Sequence, residues 1–348
     1  MNDNNVLLIT GNDVRHLLEC QEVSIIDAVA KAYVAHAVGD SSLPHSTFLR
    51  FPSDQTNRII ALPAYLGGEF GVAGVKWISS FPGNLALGIE RASAAIILNS
   101  SRTGRPEAIL EGSIISAKRT AASAALAARE LHSKPEETRA GVIGCGVINL
   151  EIVRFLLKVF PKLSELIVYD LDTNRADRFS KTCKTEFGLE RVETASNIND
   201  VFESSALVSI ATTALQPHIT EMPAGNQTST ILHISLRDLS LELILNSDNI
   251  VDDPDHVSRA QTSIHLAEQV SGHRGFIRAT LADILMRKAP AKRDGNAPTI
   301  FSPFGLGVLD LAVSKLVCDL ARTGNLGTLI PSFLPDTHSE TQKHRAGA

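Results

Sequence analysis

The sequence predicts an α/β protein of two domains, one of them a doubly wound parallel sheet, and three observations lead there. An apolar strand at residues 140–143 runs into a glycine turn, a helix, and then a second strand that ends in a carboxylate. Beyond it, apolar strands alternate with helices up to about residue 306, the pattern of parallel strands joined by crossovers. Before it, residues 46–79 fall into short apolar runs broken by Gly and Pro, which reads as an antiparallel sheet. At 348 residues the chain is long enough for two cores.

Taken in order, residues 6–10 read as a strand and 23–38 as an amphipathic helix, with Ile25, Ile26, Val29, Tyr33 and Ala37 at helical spacing and Ser24 placed to cap it. Strands follow at 46–51, 58–63, 72–78, 92–98 and 107–111. The helix at 113–132 carries Ala and small residues on nearly every face, which suits close packing between layers. The polar link 133–138, with Pro135, marks the domain boundary. In the second domain strands are expected at 206–211, 230–235, 249–252 and 299–302, with 255–288 mostly helical. A last helix at 307–322 returns to the first domain. The expected division is therefore 1–132 with 307–335 for a discontinuous α+β domain and 133–306 for the doubly wound one, followed by a polar, disordered tail at 336–348.

Composition narrows the partners. A hydrophobic fraction of 44%, a charged fraction of 20% and a formal charge of −5 give no electrostatic case for nucleic acid, so a small molecule is the expected ligand. No window approaches the ~20 apolar residues of a membrane span, and a cytoplasmic location is expected. Cys20, Cys145, Cys183 and Cys318 are far apart, so neither a disulfide framework nor a metal site is suggested.

The turn is Gly144-Cys145-Gly146-Val147-Ile148-Asn149. Gly144 permits the tight turn, and Gly146 has no side chain to hold a pyrophosphate away from the N–H groups at the helix start. Asp170, about 20 residues further on, is placed to accept the ribose hydroxyls of a dinucleotide. It favours NAD by repelling a 2′-phosphate, while Arg175 in the next turn leaves NADP open. The third small position is Asn149 rather than Gly.

A dinucleotide domain leaves the substrate unspecified. Lys76 interrupts the apolar strand at 72–78, and burial there would suit it to proton transfer or to polarising a carboxylate; the alternative is a lysine snorkelling from an edge strand. Arg119, among Ala and Ser, and Arg50, at a strand end, are candidate carboxylate binders. Asp238 follows a predicted strand at the end that faces ligand in open parallel sheets, where it would serve as a base; its alternative role is a helix N-cap. The cluster Asp252-Asp253-Pro254-Asp255-His256 reads as a solvated loop. Two carboxylate binders and a lysine suit an amino-acid-derived substrate.

Together these stretches resemble the ornithine cyclodeaminase/μ-crystallin family. The resemblance covers residues 58–63, 66–69, Gly74-Val75-Lys76-Trp77-Ile78, 90–93 with 96–99, 111–116, Arg119-Thr120-Ala121-Ala122, the glycine turn, Val168-Tyr169-Asp170 and Val251-Asp252-Asp253, nearly the whole chain. It implies a Rossmann domain and a discontinuous α+β substrate and dimerisation domain, in a homodimer. It also implies that Arg50, Lys76 and Arg119 handle carboxylates and protons and that Asp238 activates water or an amine. For the cofactor it points to residues 144–149, Asp170, the Thr212-Thr213 loop, Ser235 and Phe304-Gly305. Cys145 stands where alanine is commoner, and it is small enough to fit. Within the family the diaminopropionate-forming branch is the nearest match, which implies NAD-dependent oxidative cleavage of N-(2-amino-2-carboxyethyl)-L-glutamate in siderophore or peptide-antibiotic biosynthesis. The alternatives are an ornithine cyclodeaminase or another amino-acid dehydrogenase or imine reductase, and a non-catalytic NAD(P)-dependent binding protein.

Overall fold

Two eight-stranded sheets organise the chain, each at the centre of its own compact unit. The computed structural model describes residues 4–223, 229–291 and 297–335; the tail expected at 336–348 lies outside them. The chain enters the first unit with β1 (Val6–Ile9) and α1 (Gly11–Leu17), whose N-cap Thr10 forms a capping box with Asp13. Helix α2 (Glu22–Ala37) follows, and Ser24, expected to cap it, lies inside its first turn. Next come β2 (Ser41–Ser42), β3 (Thr47–Phe51), β4 (Asp54–Leu66), β5 (Val72–Ser80), β6 (Ala94–Ser100) and β7 (Pro106–Glu111). The runs β3 to β7 are antiparallel, as the short apolar runs broken by Gly and Pro predict, but β1 joins β7 in parallel, so the sheet is mixed.

Helix α3 (Ser113–Leu131) leads into the second unit, and from Ala121 to Leu131 its Ala and Leu side chains are all buried. There β8 (Arg139–Ile143), α4 (Val147–Val159), β9 (Glu165–Tyr169), α5 (Thr173–Phe187), β10 (Arg191–Thr194), α6 (Ile198–Ser204), β11 (Leu207–Ile210) and β12 (Thr230–His233) form the repeating part. The rest is α7 (Leu241–Leu245), β13 (Asp248–Val251), α8 (Pro254–Val257), α9 (Ser263–Ser271), β14 (Ile277–Thr280), α10 (Leu281–Leu285) and β15 (Thr299–Ser302). All pairings are parallel, in the order β10-β9-β8-β11-β12-β15-β13-β14. The direction of winding reverses between β8 and β11, the switch point where such sheets take ligands. Strands β10 and β14 lie outside the expected set; they are the two edge strands of the sheet, and their sequences, RVET and IRAT, carry no continuous apolar run.

Helix α11 (Gly307–Gly324) and β16 (Thr328–Ile330) return to the first unit. There α11 packs on β4, β5 and β6, and β16 closes the sheet edge beside β1. The division differs from the expected boundary at 132/133 in two places. It falls within α3, after Ser116, and α2 belongs to the second unit, where it packs on α4 and α10. Among the described residues no helix is long and apolar enough to cross a membrane.

Candidate active site

In the first unit, β5 runs through the middle of the sheet between β4 and β6, which removes the option of a snorkelling edge lysine for Lys76. Lys76 is 2% exposed, on the face that α11 covers, and Gly74 on the same face lets Leu311 of α11 close onto the strand. The ammonium lies 2.7 Å from Oδ2 of Asp310, itself fully buried on α11, and donates to Ser116 Oγ at 3.0 Å. The lysine is thus held by a buried ion pair and a further hydrogen bond. Asp310 was not found from sequence, although an acid inside an apolar helix is the same kind of signal as a lysine inside an apolar strand. Arg50 lies directly opposite Arg58 across β3 and β4, with its guanidinium 5.7 Å from the Phe48 ring centre.

In the second unit the glycine turn leaves β8 for α4. Gly144 has φ +90°, and a Cβ there would strike the carbonyl of Ala211 on the neighbouring β11 side of the switch point, so glycine is required. Gly146 faces open space and is the N-cap of α4 without a side-chain cap, so the first N–H groups of a 13-residue helix stay available to an anion. That cradle fits the pyrophosphate of a dinucleotide. Asn149 replaces the third small residue with a brace: fully buried, it donates to the carbonyls of Ile143 and Gly144 at 2.9 and 2.7 Å and accepts from Ser209 Oγ at 2.7 Å. Val147, by contrast, is exposed at the helix start, with Ile148 behind it.

Asp170 closes the turn from the end of β9. Its Oδ2 accepts the Cys145 N–H at 2.7 Å and its Oδ1 the Asp172 N–H at 2.9 Å, so the carboxylate is fixed before any ribose arrives. The Cys145 thiol is pushed up to about 12, by burial first and by Asp170 second, and is therefore inert. Arg175 sits half-buried in the first turn of α5, whose N-cap is Asp172.

Asp238 is fully buried after β12, and it is Ser240, not Asp238, that caps α7. Thr212 Oγ1 and Ser235 Oγ, both expected around the cofactor, donate to its two carboxylate oxygens. His218 Nε2 lies 3.1 Å from Oδ1 and is 37% exposed. Buried His233 faces the Asp238 N–H at 3.2 Å and Oδ2 at 3.4 Å with Nε2, while its Nδ1 meets Ser302 Oγ at 3.2 Å. Burial would push this carboxyl up, but the surrounding His233, Ser235 and Thr212 outweigh it and hold Asp238 well below the usual carboxylate range. Thr213, next to Thr212, is exposed.

Arg119 is buried on α3 beside Gly305, where any side chain would meet its guanidinium. The loop at Phe304 and Gly305 is held by Asp252, which accepts their N–H groups at 2.9 and 2.7 Å and that of Asp253 at 2.8 Å. The acidic cluster is thus not a solvated loop. Burial raises the Asp252 carboxyl, and Asp253 bridges His36 Nε2 and His256 Nδ1, each at 3.1 Å. Consecutive acids read as a solvated stretch because sequence alone does not show the N–H groups that satisfy them.

The parallel sheet, its switch-point turn and the fixed acid of β9 define a class, the dinucleotide-dependent oxidoreductases. More narrowly, the chain belongs to the ornithine cyclodeaminase/mu-crystallin family, whose sequence profile matches residues 5–325. It is 29% identical over 311 residues, 88% of this chain and 92% of the relative, to the N-((2S)-2-amino-2-carboxyethyl)-L-glutamate dehydrogenase of Staphylococcus aureus. It superposes on the Δ1-pyrroline-2-carboxylate reductase of Thermococcus litoralis, solved with NADH and L-proline, with a TM-score of 0.85 at 25% identity, covering 93% of this chain and 99% of the other. An archaeal alanine dehydrogenase dimer with bound NAD gives a TM-score of 0.81 at 26% identity, covering 94% and 99%.

Proposed function

We propose that this protein is an NAD-dependent dehydrogenase that cleaves N-(2-amino-2-carboxyethyl)-L-glutamate oxidatively to L-2,3-diaminopropionate and 2-oxoglutarate. The observation that carries this reading is the likeness to the Staphylococcus aureus dehydrogenase over nearly its whole length. The chemistry of the residues supports it. The Cα–H bond of the glutamate half breaks with its electron pair leaving as hydride, the amine nitrogen loses a proton, and a C=N bond forms. Water then adds to that carbon and the C–N bond breaks, releasing the ketone of 2-oxoglutarate and the amine of diaminopropionate. Bound NAD supplies the hydride acceptor.

In this reading the chain's own residues bind and move protons. Lys76, paired with Asp310, holds a carboxylate, polarises the reacting end and assists proton transfer. Arg50 and Arg119 bind further carboxylates. Asp238, ionised throughout the neutral range, takes the proton of the amine or of the hydrolytic water, with His218 at its exposed side as the route to solvent. Phe304 and Gly305, fixed by Asp252, and the Asp170 carboxylate complete the cofactor contacts.

The test is incubation of the purified protein with the synthetic conjugate and NAD⁺ while following absorbance of the reduced cofactor. Absence of reduction, together with no diaminopropionate by mass spectrometry, rejects the substrate. Ammonia from ornithine without net cofactor reduction would assign a cyclodeaminase instead. A homodimer is part of the same proposal: the sheet face opposite α11 leaves Leu49, Tyr65, Trp77 and Ile97 exposed on adjacent strands, an apolar face that a second copy would cover. A place in siderophore or peptide-antibiotic assembly follows from the product, a building block for amide bonds.

A further inference from the structure

The sheet of the first unit sets three unusual residues in one row. Arg50 on β3 is the cross-strand partner of Arg58 on β4, and Arg58 is the partner of Ser80 on β5. Directly paired residues share a face, and Ser80 lies four residues along β5 from Lys76, so the row and Lys76 are on the same face, about 13 Å apart along the strand.

The row is short of negative charge. Like charges placed directly opposite one another destabilise a strand pair. Arg58 Nε is buried and without a partner, and its guanidinium makes no ion pair among the described residues. Ser80 Oγ is buried and equally without a partner. Burial first and Arg50 second pull the Arg58 guanidinium down, the direction expected when a cation lacks an anion. The acid of the same hairpin does not answer it: Asp54 accepts from the N–H groups of Thr56 and Asn57 and from both their side chains. Two guanidiniums and a hydroxyl with unused donors form a fork for a planar anion.

We propose that Arg50, Arg58 and Ser80 form a second anion subsite that binds the far carboxylate of a substrate whose reacting end is held at Lys76. This rests on the reading of Lys76 as a carboxylate binder, and it names the substrate class: an amino acid bearing a second carboxylate on a flexible arm. The long side chains of Lys76 and the arginines close the distance between the two positions. Ser80 contributes a neutral donor, so the row suits a carboxylate rather than a more highly charged group.

The test compares wild type with Arg58→Gln and Ser80→Ala on N-(2-amino-2-carboxyethyl)-L-glutamate and on the norvaline conjugate, which keeps the arm and lacks its carboxylate. The wild-type preference in kcat/KM for the glutamate conjugate should fall roughly 10- to 100-fold in Arg58→Gln and about 3-fold in Ser80→Ala. An unchanged preference in Arg58→Gln overturns the subsite. If wild type turns over neither conjugate, the substrate reading has failed and the subsite is read by calorimetry of the NAD-loaded protein with glutarate, butyrate and inorganic phosphate. Tighter binding of glutarate than of butyrate, with the difference lost in Arg58→Gln, supports the subsite. Equal binding of the two, or preference for phosphate, overturns it.

Discussion

Lys76 Nζ and Asp310 Oδ2 lie 2.7 Å apart, both buried, one on a central strand and one on the helix that covers it. Removing one partner leaves an uncompensated buried charge, a loss of about 3–5 kcal/mol, whereas replacing both by apolar groups is often neutral. Lys76→Met and Asp310→Leu should each lower the urea midpoint strongly, and the double variant should recover most of it while remaining inactive. Denaturant titration beside a turnover assay checks this. A double variant as unstable as either single would mean the two charges do not stabilise through each other.

Asp238 carries a linked pH dependence. Its folded carboxyl lies below the ordinary value of 3.8, so its stabilisation is complete above that value and is lost as pH falls through the folded value, where the unfolded chain binds the proton first. The stability difference between wild type and Asp238→Asn should be flat from neutrality down to about pH 5 and shrink below pH 4. Melting curves across that range decide it, and a difference that grows on acidification contradicts the geometry.

The local parts of this molecule were legible in the sequence because they obey local rules. Gly144 must turn, Gly146 leaves the helix start open, and Asp170 follows the next strand, all within one strand-turn-helix-strand unit. Lys76 stood out because a charge broke an apolar run. What stayed hidden depends on pairing between distant residues: Asp310 against Lys76, Thr212 and Ser235 against Asp238, and the N–H groups of Phe304 and Gly305 against Asp252. Helix α2, which packs in the second unit, is a further case, since its apolar stripe shows that it packs and not on what.

Asp170 has two duties that substitutions separate. Asp170→Asn keeps an acceptor for the Cys145 N–H but removes the charge proposed to repel a 2′-phosphate. The ratio of NADP to NAD affinity should rise about 10-fold with the loss of one of the two N–H bonds the carboxylate accepts, while Asp170→Ala loses both, worth about 1.5–3 kcal/mol each. Fluorescence titration of the reduced cofactors reads the ratio. No change in it for either variant removes Asp170 from cofactor selection.

Trp77 is 44% exposed on the face of β5 opposite Lys76. If that face pairs with a second copy, Trp77→Glu buries two charges against apolar neighbours and the assembly should come apart to monomers in light scattering at micromolar concentration. Survival of the dimer would place the interface elsewhere.

Gly305 links the Asp252 knot to Arg119. Its φ of +92° is strained for any other residue, and a Cβ at this position would lie 2.6 Å from the Arg119 guanidinium. Gly305→Ala therefore acts twice, through backbone strain of about 1–2 kcal/mol and through displacement of Arg119. The two effects separate by readout: melting temperature reports the strain, and, with Arg119 in its proposed role as a carboxylate binder, the substrate KM reports the arginine. KM should rise roughly 10-fold or more because a charge-assisted contact is lost. In Arg119→Lys the further addition of Gly305→Ala should then raise KM much less, because a shorter, unforked head leaves the space the Cβ needs. Additive effects of the two substitutions on KM would show that Gly305 acts without Arg119.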